Sequence, residues 1–284
     1  MHTEIQWQDN SAFLGTLYHE FMGLPTELIE RQTKLFASQF NFSNYDTEEE
    51  NLLRQAWEDV RPTTIQGYPG ISFGEMSWLG VDLPVGLSVK GAKNDRLMIV
   101  AMDPLRSDDG SGSTRSDTIT LNTPFTIHNR AINNSYNQQI IALADRYAIY
   151  VTDAYKLFFR QSANYCNVSN QMPVFRNNLS LHKAILKKEV EFFDPKFILC
   201  LGKQAGQVLA SIADVNFFPL GKTRLNEQRN HYFFDDRSFF CVPHASGAAR
   251  GHAALFMRLN QLPYRSSSYI SDVVAGIEGL MYSS

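Results

Sequence analysis

Two short stretches hold the residue types that could do chemistry. Met98-Ile99-Val100-Ala101-Met102-Asp103-Pro104 is an apolar run that stops on a carboxylate. Phe239-Phe240-Cys241-Val242-Pro243-His244-Ala245-Ser246-Gly247-Ala248-Ala249-Arg250 is one that stops on an imidazole and continues in small residues. A carboxylate can stabilise a developing cation or orient a water, and an imidazole can move a proton near neutral pH. Ligands of open parallel sheets bind outside the carboxyl ends of the strands, so Asp103 and His244 would face one cleft if both runs belong to one such sheet. Two more runs end in the same way. Residues 147–152 stop at Asp153, with Lys156 three residues on, and residues 197–201 stop at Gly202-Lys203. Each residue also has an ordinary structural reading: Asp before Pro opens a turn, Asp153 caps a helix, Gly202 makes a tight turn, and His244 has a purely structural part.

The elements that must position these groups follow from periodicity. Strand patterns at 97–101, 147–152, 197–201 and 239–242 alternate with helical patterns at 130–145, 179–193, 202–212 and 252–260, and a last helix is expected over 269–281. Such alternation predicts a three-layer α/β/α sandwich around a central four-stranded parallel sheet. Before it, residues 1–60 read as helices, with Phe13, Leu17, Phe21, Leu28, Leu35 and Phe36 at spacings near three and four. Pro25 starts the second helix, Asp46-Thr47-Glu48-Glu49-Glu50 caps the third, and Pro62 ends it. Residues 63–95 are rich in Gly and Pro and read as loops with a short hairpin. Two units are therefore expected: 1–95, a helical and loop extension packed on the core, and 96–284, the α/β/α domain. Ser107 to Asp117 is a polar loop directly after the first strand of that domain.

Bulk properties narrow the function classes. With 284 residues, 44% hydrophobic and 19% charged, the chain can bury a sizeable core, and its net charge of -3 argues against a surface coated in positive charge. Cys166, Cys200 and Cys241 match neither a zinc nor an iron–sulfur spacing, so no metal or other cofactor is expected. Two of these thiols sit inside apolar runs, which fits a reducing cytoplasm. No secretory leader and no membrane span are expected. If an anionic polymer binds, Arg106, Arg115, Lys156, Arg160, Lys203, Arg250 and Arg258 are the candidate contacts.

Five motifs in order resemble the uracil-DNA glycosylase superfamily. Ala101-Met102-Asp103-Pro104-Leu105 is similar to its Gly-Gln-Asp-Pro-Tyr motif. His244-Ala245-Ser246 is similar to its His-Pro-Ser motif. Tyr150-Val151-Thr152-Asp153-Ala154-Tyr155-Lys156 resembles Tyr-Ile-Thr-Asn-x-x-Lys of the branch with iron–sulfur clusters. Pro195-Lys196-Phe197 through Leu201-Gly202-Lys203-Gln204-Ala205 resembles the Pro-Lys and Leu-Gly segment of that branch, and Pro124-Phe125 stands where it has a Pro-Phe pair. The resemblance spans about residues 95–262.

The resemblance implies a DNA-repair glycosylase that flips a damaged or deaminated base from DNA and hydrolyses its bond to the sugar. It gives Asp103 the stabilisation of the oxocarbenium ion and the positioning of water. It gives His244 a hydrogen bond to the departing base. Phe125 would stack on the base, with Met102, Leu105 and Asp153 around it. Ser246, Gly247, Arg250, Lys156 and Lys203 would meet the DNA backbone or the gap left by the base. Four departures stand out. Asp153 replaces a uracil-reading Asn: an ionised carboxylate only accepts hydrogen bonds, which suits an amino-bearing edge as on cytosine or adenine, whereas a protonated one restores a donor. Ala248-Ala249 replaces a leucine wedge and leaves that place to Arg250. Leu157 stands where a cluster-ligating Cys would follow Lys156. Leu105 replaces a pocket-narrowing Tyr. The alternatives are a catalytically inactive nucleic-acid-binding protein of the same fold and a hydrolase using Ser246, His244 and Asp103. The latter lacks a Gly-x-Ser-x-Gly elbow. A phosphate-binding glycine loop at Gly202-Lys203-Gln204-Ala205-Gly206 lacks both standard spacings.

Overall fold

A computed structural model describes residues 4–41, 46–60, 78–90, 95–102, 119–130, 135–160, 179–217, 224–225, 231–244 and 250–281. In chain order these form β1 (Ile5–Trp7), α1 (Ser11–Met22), α2 (Thr26–Phe40), α3 (Thr47–Asp59), β2 (Trp78–Asp82), β3 (Val85–Val89), β4 (Asp95–Ala101) and β5 (Ile119–Asn122). A 3-10 turn at Pro124–Thr126 precedes α4 (Ser135–Leu143), β6 (Tyr147–Asp153), β7 (Leu157–Arg160), α5 (Leu179–Phe193) and β8 (Phe197–Leu201). The chain continues as α6 (Lys203–Ile212), β9 (His231–Phe234), β10 (Arg237–Val242), α7 (Arg250–Leu259) and α8 (Tyr269–Met281).

Every residue of β6 and β8 is buried, as are the last five of β4. Strands covered on both faces read as continuous apolar runs and assemble in parallel. Accordingly β4 lies between β6 and β8, parallel to both, with Ile99 opposite Val151 on one side and Leu199 on the other. β10 runs parallel to β8, setting Cys241 opposite Cys200. The protein is thus a mixed α/β fold whose central sheet has a mostly parallel core.

Among the described residues the sheet has seven strands where four were expected, in the order β1-β3-β6-β4-β8-β10-β9, the four parallel ones being β6, β4, β8 and β10. β3 adds antiparallel to β6, β1 to β3, and β9 to β10. Two of these added strands come from the segment expected to be helical and looped. Of the segment 63–95 expected to hold loops and a short hairpin, residues 63–77 and 91–94 lie outside the described residues. β2 and β3 do not pair, because β2 joins a separate sheet, parallel to β5 and antiparallel to β7. The crossover between the two sheets is pinned by α1. Tyr18 donates its hydroxyl to the Asp82 carbonyl at 3.1 Å, and the Asn10 amide reaches the Pro84 carbonyl.

The N-terminal helices form where the sequence places them. α1 ends on Gly23 in the left-handed conformation, whose N–H bonds back to the His19 carbonyl. α2 crosses α1 at Gly15, where an added Cβ would stand 2.9 Å from Thr26 and Glu30 side-chain atoms. The Asp46 carboxylate accepts the Glu48 and Glu49 N–H groups at the start of α3. Away from these, α4 and α8 pack together, and α5 packs on α1 and α6. Removing the cap by Asp46→Ala should cost about 1 kcal/mol of stability, read as a lower urea midpoint at unchanged slope.

Candidate functional site

The carboxyl ends of the parallel strands converge on one rim because their pairing runs to the last residue. Ala101 of β4 stands opposite Asp153 of β6. Pairing continues past both strands: the Ala154 N–H donates to the Ala101 carbonyl at 2.9 Å and the Tyr155 N–H to the Met102 carbonyl at 3.0 Å. Met102, half-buried, and Asp153, buried, therefore share the rim. Asp103 is the next residue, and it lies outside the described residues, as do Leu105, Arg106, Arg115, Ser246, Gly247, Ala248 and Ala249.

On the other half of the rim, Val242 of β10 stands opposite Leu201 of β8, and the Gly202 N–H donates to the Val242 carbonyl at 2.8 Å. Gly202 has φ of 99°, a conformation that glycine adopts without steric cost, and its missing Cβ would sit 3.5 Å from the His244 Cβ. His244 follows two residues beyond β10 and is mostly buried. That burial holds its imidazole pKa below the usual value. A neutral imidazole presents one N–H donor and one acceptor.

An aromatic row connects this His to Phe125. Phe125 and Thr126 both have positive φ, 54° and 56°, and such non-glycine residues cost of order 1–3 kcal/mol each. The turn is over-determined by its surroundings. The Thr126 N–H bonds to the Thr123 carbonyl, and the Thr123 hydroxyl bonds to Nδ1 of buried His128 at 2.9 Å. His128 in turn stacks on Phe36 of α2 at 4.2 Å. Held this way, the Phe125 ring stacks on Tyr136 of α4 at 5.3 Å, and Tyr136 lies 5.8 Å from the His244 ring. Burial pushes the Tyr136 phenol up to about 12, so it remains neutral. Tyr136, between two of the candidate residues, is one that motif reading misses. It belongs to no motif, and its only signal is its place in the helix that follows the Pro124-Phe125 turn.

Behind Asp153 lies a buried polar cluster. The Lys156 ammonium donates to Oε2 of Glu189 and to the Thr152 hydroxyl, each at 2.6 Å, and that hydroxyl donates to Glu189 at 2.8 Å. Lys156 is 1% exposed and Glu189 is 0% exposed. This corrects the expectation that Lys156 contacts DNA phosphate: its charge is enclosed and committed to a carboxylate of α5. Burial lowers the Lys156 pKa and raises that of Glu189, while their mutual attraction and the nearby Asp153 charge oppose the Lys156 shift. The Lys156 N–H donates to Nδ1 of His182 at 3.1 Å, which puts the His182 proton on Nε2. Burial, aided by the Lys156 charge, takes His182 down to about 3.

Of the other cations, Lys203 opens α6, Arg250 opens α7, and both are exposed, as is Arg258. Arg160 is the last residue of β7. Among the described residues no group of three or more His, Cys, Asp and Glu side chains could hold a metal ion. Among them, too, no helix is long and apolar enough to cross a membrane.

Two stability measurements probe the buried cluster. Lys156→Met or Glu189→Leu alone should lose roughly 3–5 kcal/mol by leaving a buried charge unpaired, and the double variant should recover most of it, as read by urea unfolding. His182 titrates near 6.5 when unfolded and near 3 when folded. The unfolded chain therefore binds the extra proton between those values, and stability falls as pH drops through that window. His182→Gln should remove this part of the pH dependence, seen as a shallower fall of the unfolding midpoint with acid than in the native chain.

The model of the uracil DNA glycosylase superfamily matches residues 89–263, more than half of the chain, and takes in β4 to β10, the Phe125 turn and the His244 segment. No individually curated protein matches. With its rim of strand ends bearing Met102, Asp153 and His244 inside the matched region, this chain belongs to the uracil-DNA glycosylase superfamily.

Proposed function

We propose that the protein hydrolyses the N-glycosidic bond of a flipped, damaged or deaminated base in DNA, as a step of DNA repair. The observation that carries this reading is the row Phe125–Tyr136–His244 on the rim that also bears Met102 and Asp153. Such a rim offers a ring to stack on, a neutral imidazole donor and a carboxylate acceptor at one strand-end cleft. In the reaction the bond from C1′ to the base nitrogen breaks, water adds its hydroxyl to C1′, and the proton goes to the base. Asp103 stabilises the cationic sugar and orients the water. His244 donates its N–H to the base oxygen as negative charge builds there, the kind of contact whose loss costs about 100-fold or more in rate. Met102 and Leu105 line the base, and Phe125 stacks on it.

Asp153 sets the base. An ionised carboxylate accepts from an exocyclic amino group and repels a carbonyl, so an amino-bearing ring edge fits better than uracil. Backbone contacts fall to Ser246, Gly247, Lys203 and Arg250, with Arg250 also the candidate to fill the gap left by the base. The same reading takes residues 96–284 as an α/β/α glycosylase-like unit of a cytoplasmic protein, with residues 1–95 an extension packed on it.

A second reading, a DNA-binding protein that no longer excises, is favoured by Ala248-Ala249 in place of an apolar wedge. One experiment separates the two. Oligonucleotides carrying uracil, hypoxanthine, xanthine or normal bases, single- and double-stranded, are incubated with the protein and assayed for alkali-labile abasic sites. Excision at one of these bases is expected, its identity showing what Asp153 reads, abolished in Asp103→Asn and reduced on the order of 100-fold in His244→Ala. Binding without abasic sites in any oligonucleotide selects the second reading.

A further inference from the structure

We propose that Tyr269, on the C-terminal helix beyond the matched region, is a positioning residue that fixes the orientation of His244. Tyr269 is 0% exposed, and its hydroxyl donates to the Pro243 carbonyl at 2.8 Å. The Pro243 carbonyl and the His244 N–H belong to one planar peptide unit. Holding that oxygen fixes the plane from which the His244 Cα and side chain depart. The opposite side of the imidazole segment meets Gly202, whose position is set by its bond to Val242. His244 is thus located from the sheet through Gly202 and from α8 through Tyr269.

The helix that carries Tyr269 is itself anchored to the site. Gln139 of α4 accepts the Ile270 N–H through its oxygen at 2.8 Å and donates through its nitrogen to the Ser266 carbonyl at 3.0 Å. Both bonds lie at the start of α8, beside Tyr269. Gln139 is three residues from Tyr136, so one face of α4 bears the ring against His244 and the amide that seats α8. The far end of α8 is tied separately, through Glu278 to Arg146 and to Tyr147. The family model ends at residue 263, so this support for the His segment comes from a part of the chain outside the matched region.

The inference rests on the proposed role of His244, and the test separates the two. Tyr269→Phe in the full chain removes one hydroxyl and keeps the ring. The imidazole ¹H–¹⁵N resonances of His244, assigned with His244→Gln, should shift in Tyr269→Phe while those of distant His19 stay in place. On the base found to be excised, kcat should fall on the order of tenfold, with KM changed less than about twofold. Gln139→Leu, which frees the same end of α8, should shift the His244 resonances too. Glu278→Gln, which loosens only the far end, should leave them unmoved. Unshifted His244 resonances in Tyr269→Phe overturn the proposal. So does a shift with kcat unchanged in an active enzyme, or an equal shift in Glu278→Gln. If the native chain excises nothing, the excision reading fails on its own account, and the resonances still decide whether Tyr269 orients His244.

Discussion

The site depends on one constraint: four parallel strands stay in register up to their carboxyl ends. Side chains just beyond neighbouring strands can be brought together only if those strands stop at the same height. Ala101 opposite Asp153 and Val242 opposite Leu201 meet that condition on the two halves of the sheet. β4 and β8 join the halves, with Val100 opposite Cys200. A slip of one residue in any of these pairs would turn every side chain of that strand to the other face. The continuous burial of β4, β6 and β8 makes such a slip costly, so the core that stabilises the sheet also fixes the geometry of its rim.

The elements added to this frame hold parts of the rim that the strands cannot reach. Phe125 sits in a turn with two consecutive positive φ angles, which no local preference of Phe or Thr supports. Its stability comes from Thr123, His128 and, through His128, from Phe36 of an N-terminal helix. The helices before the first core strand therefore have a part in the site: they brace the turn that presents the aromatic ring. Strained conformations of this kind persist where surrounding structure over-determines them.

Much of this was legible in the sequence, and what was not has physical causes. The helices at 179–193 and 269–281 and the strand at 197–201 were readable to the residue, because their periodicity and flanking turns agree. β1 is three residues long, too short for any period to register, and β3 carries Gly86 against Gln8, a close approach that hides a strand among glycines. β9 shows only as His231–Phe234 before a turn with Asp235 at positive φ. In the site, Met102, Phe125, Asp153 and His244 stand out by motif, whereas Tyr136 becomes visible only when α4 is folded against the turn. Lys156 reads as a free cation because its partner, Glu189, is 33 residues away on a helix.

That buried pair also bears on the surroundings of Asp153. A salt bridge in the interior adds little stability beyond what well-packed apolar residues would give, so stability alone is a poor account of Lys156 and Glu189. What apolar residues would lack is direction and charge. The Lys156 and Glu189 bonds to the Thr152 hydroxyl hold the residue next to Asp153 by two short contacts, and the Lys156–Glu189 bond closes the triangle. The ammonium sits close enough to Asp153 for the two to attract electrostatically. Burying a carboxylate costs free energy, which a nearby cation offsets in part. Where the resembled motif has an amide that both donates and accepts, this chain therefore has a carboxylate beside a buried, paired cation.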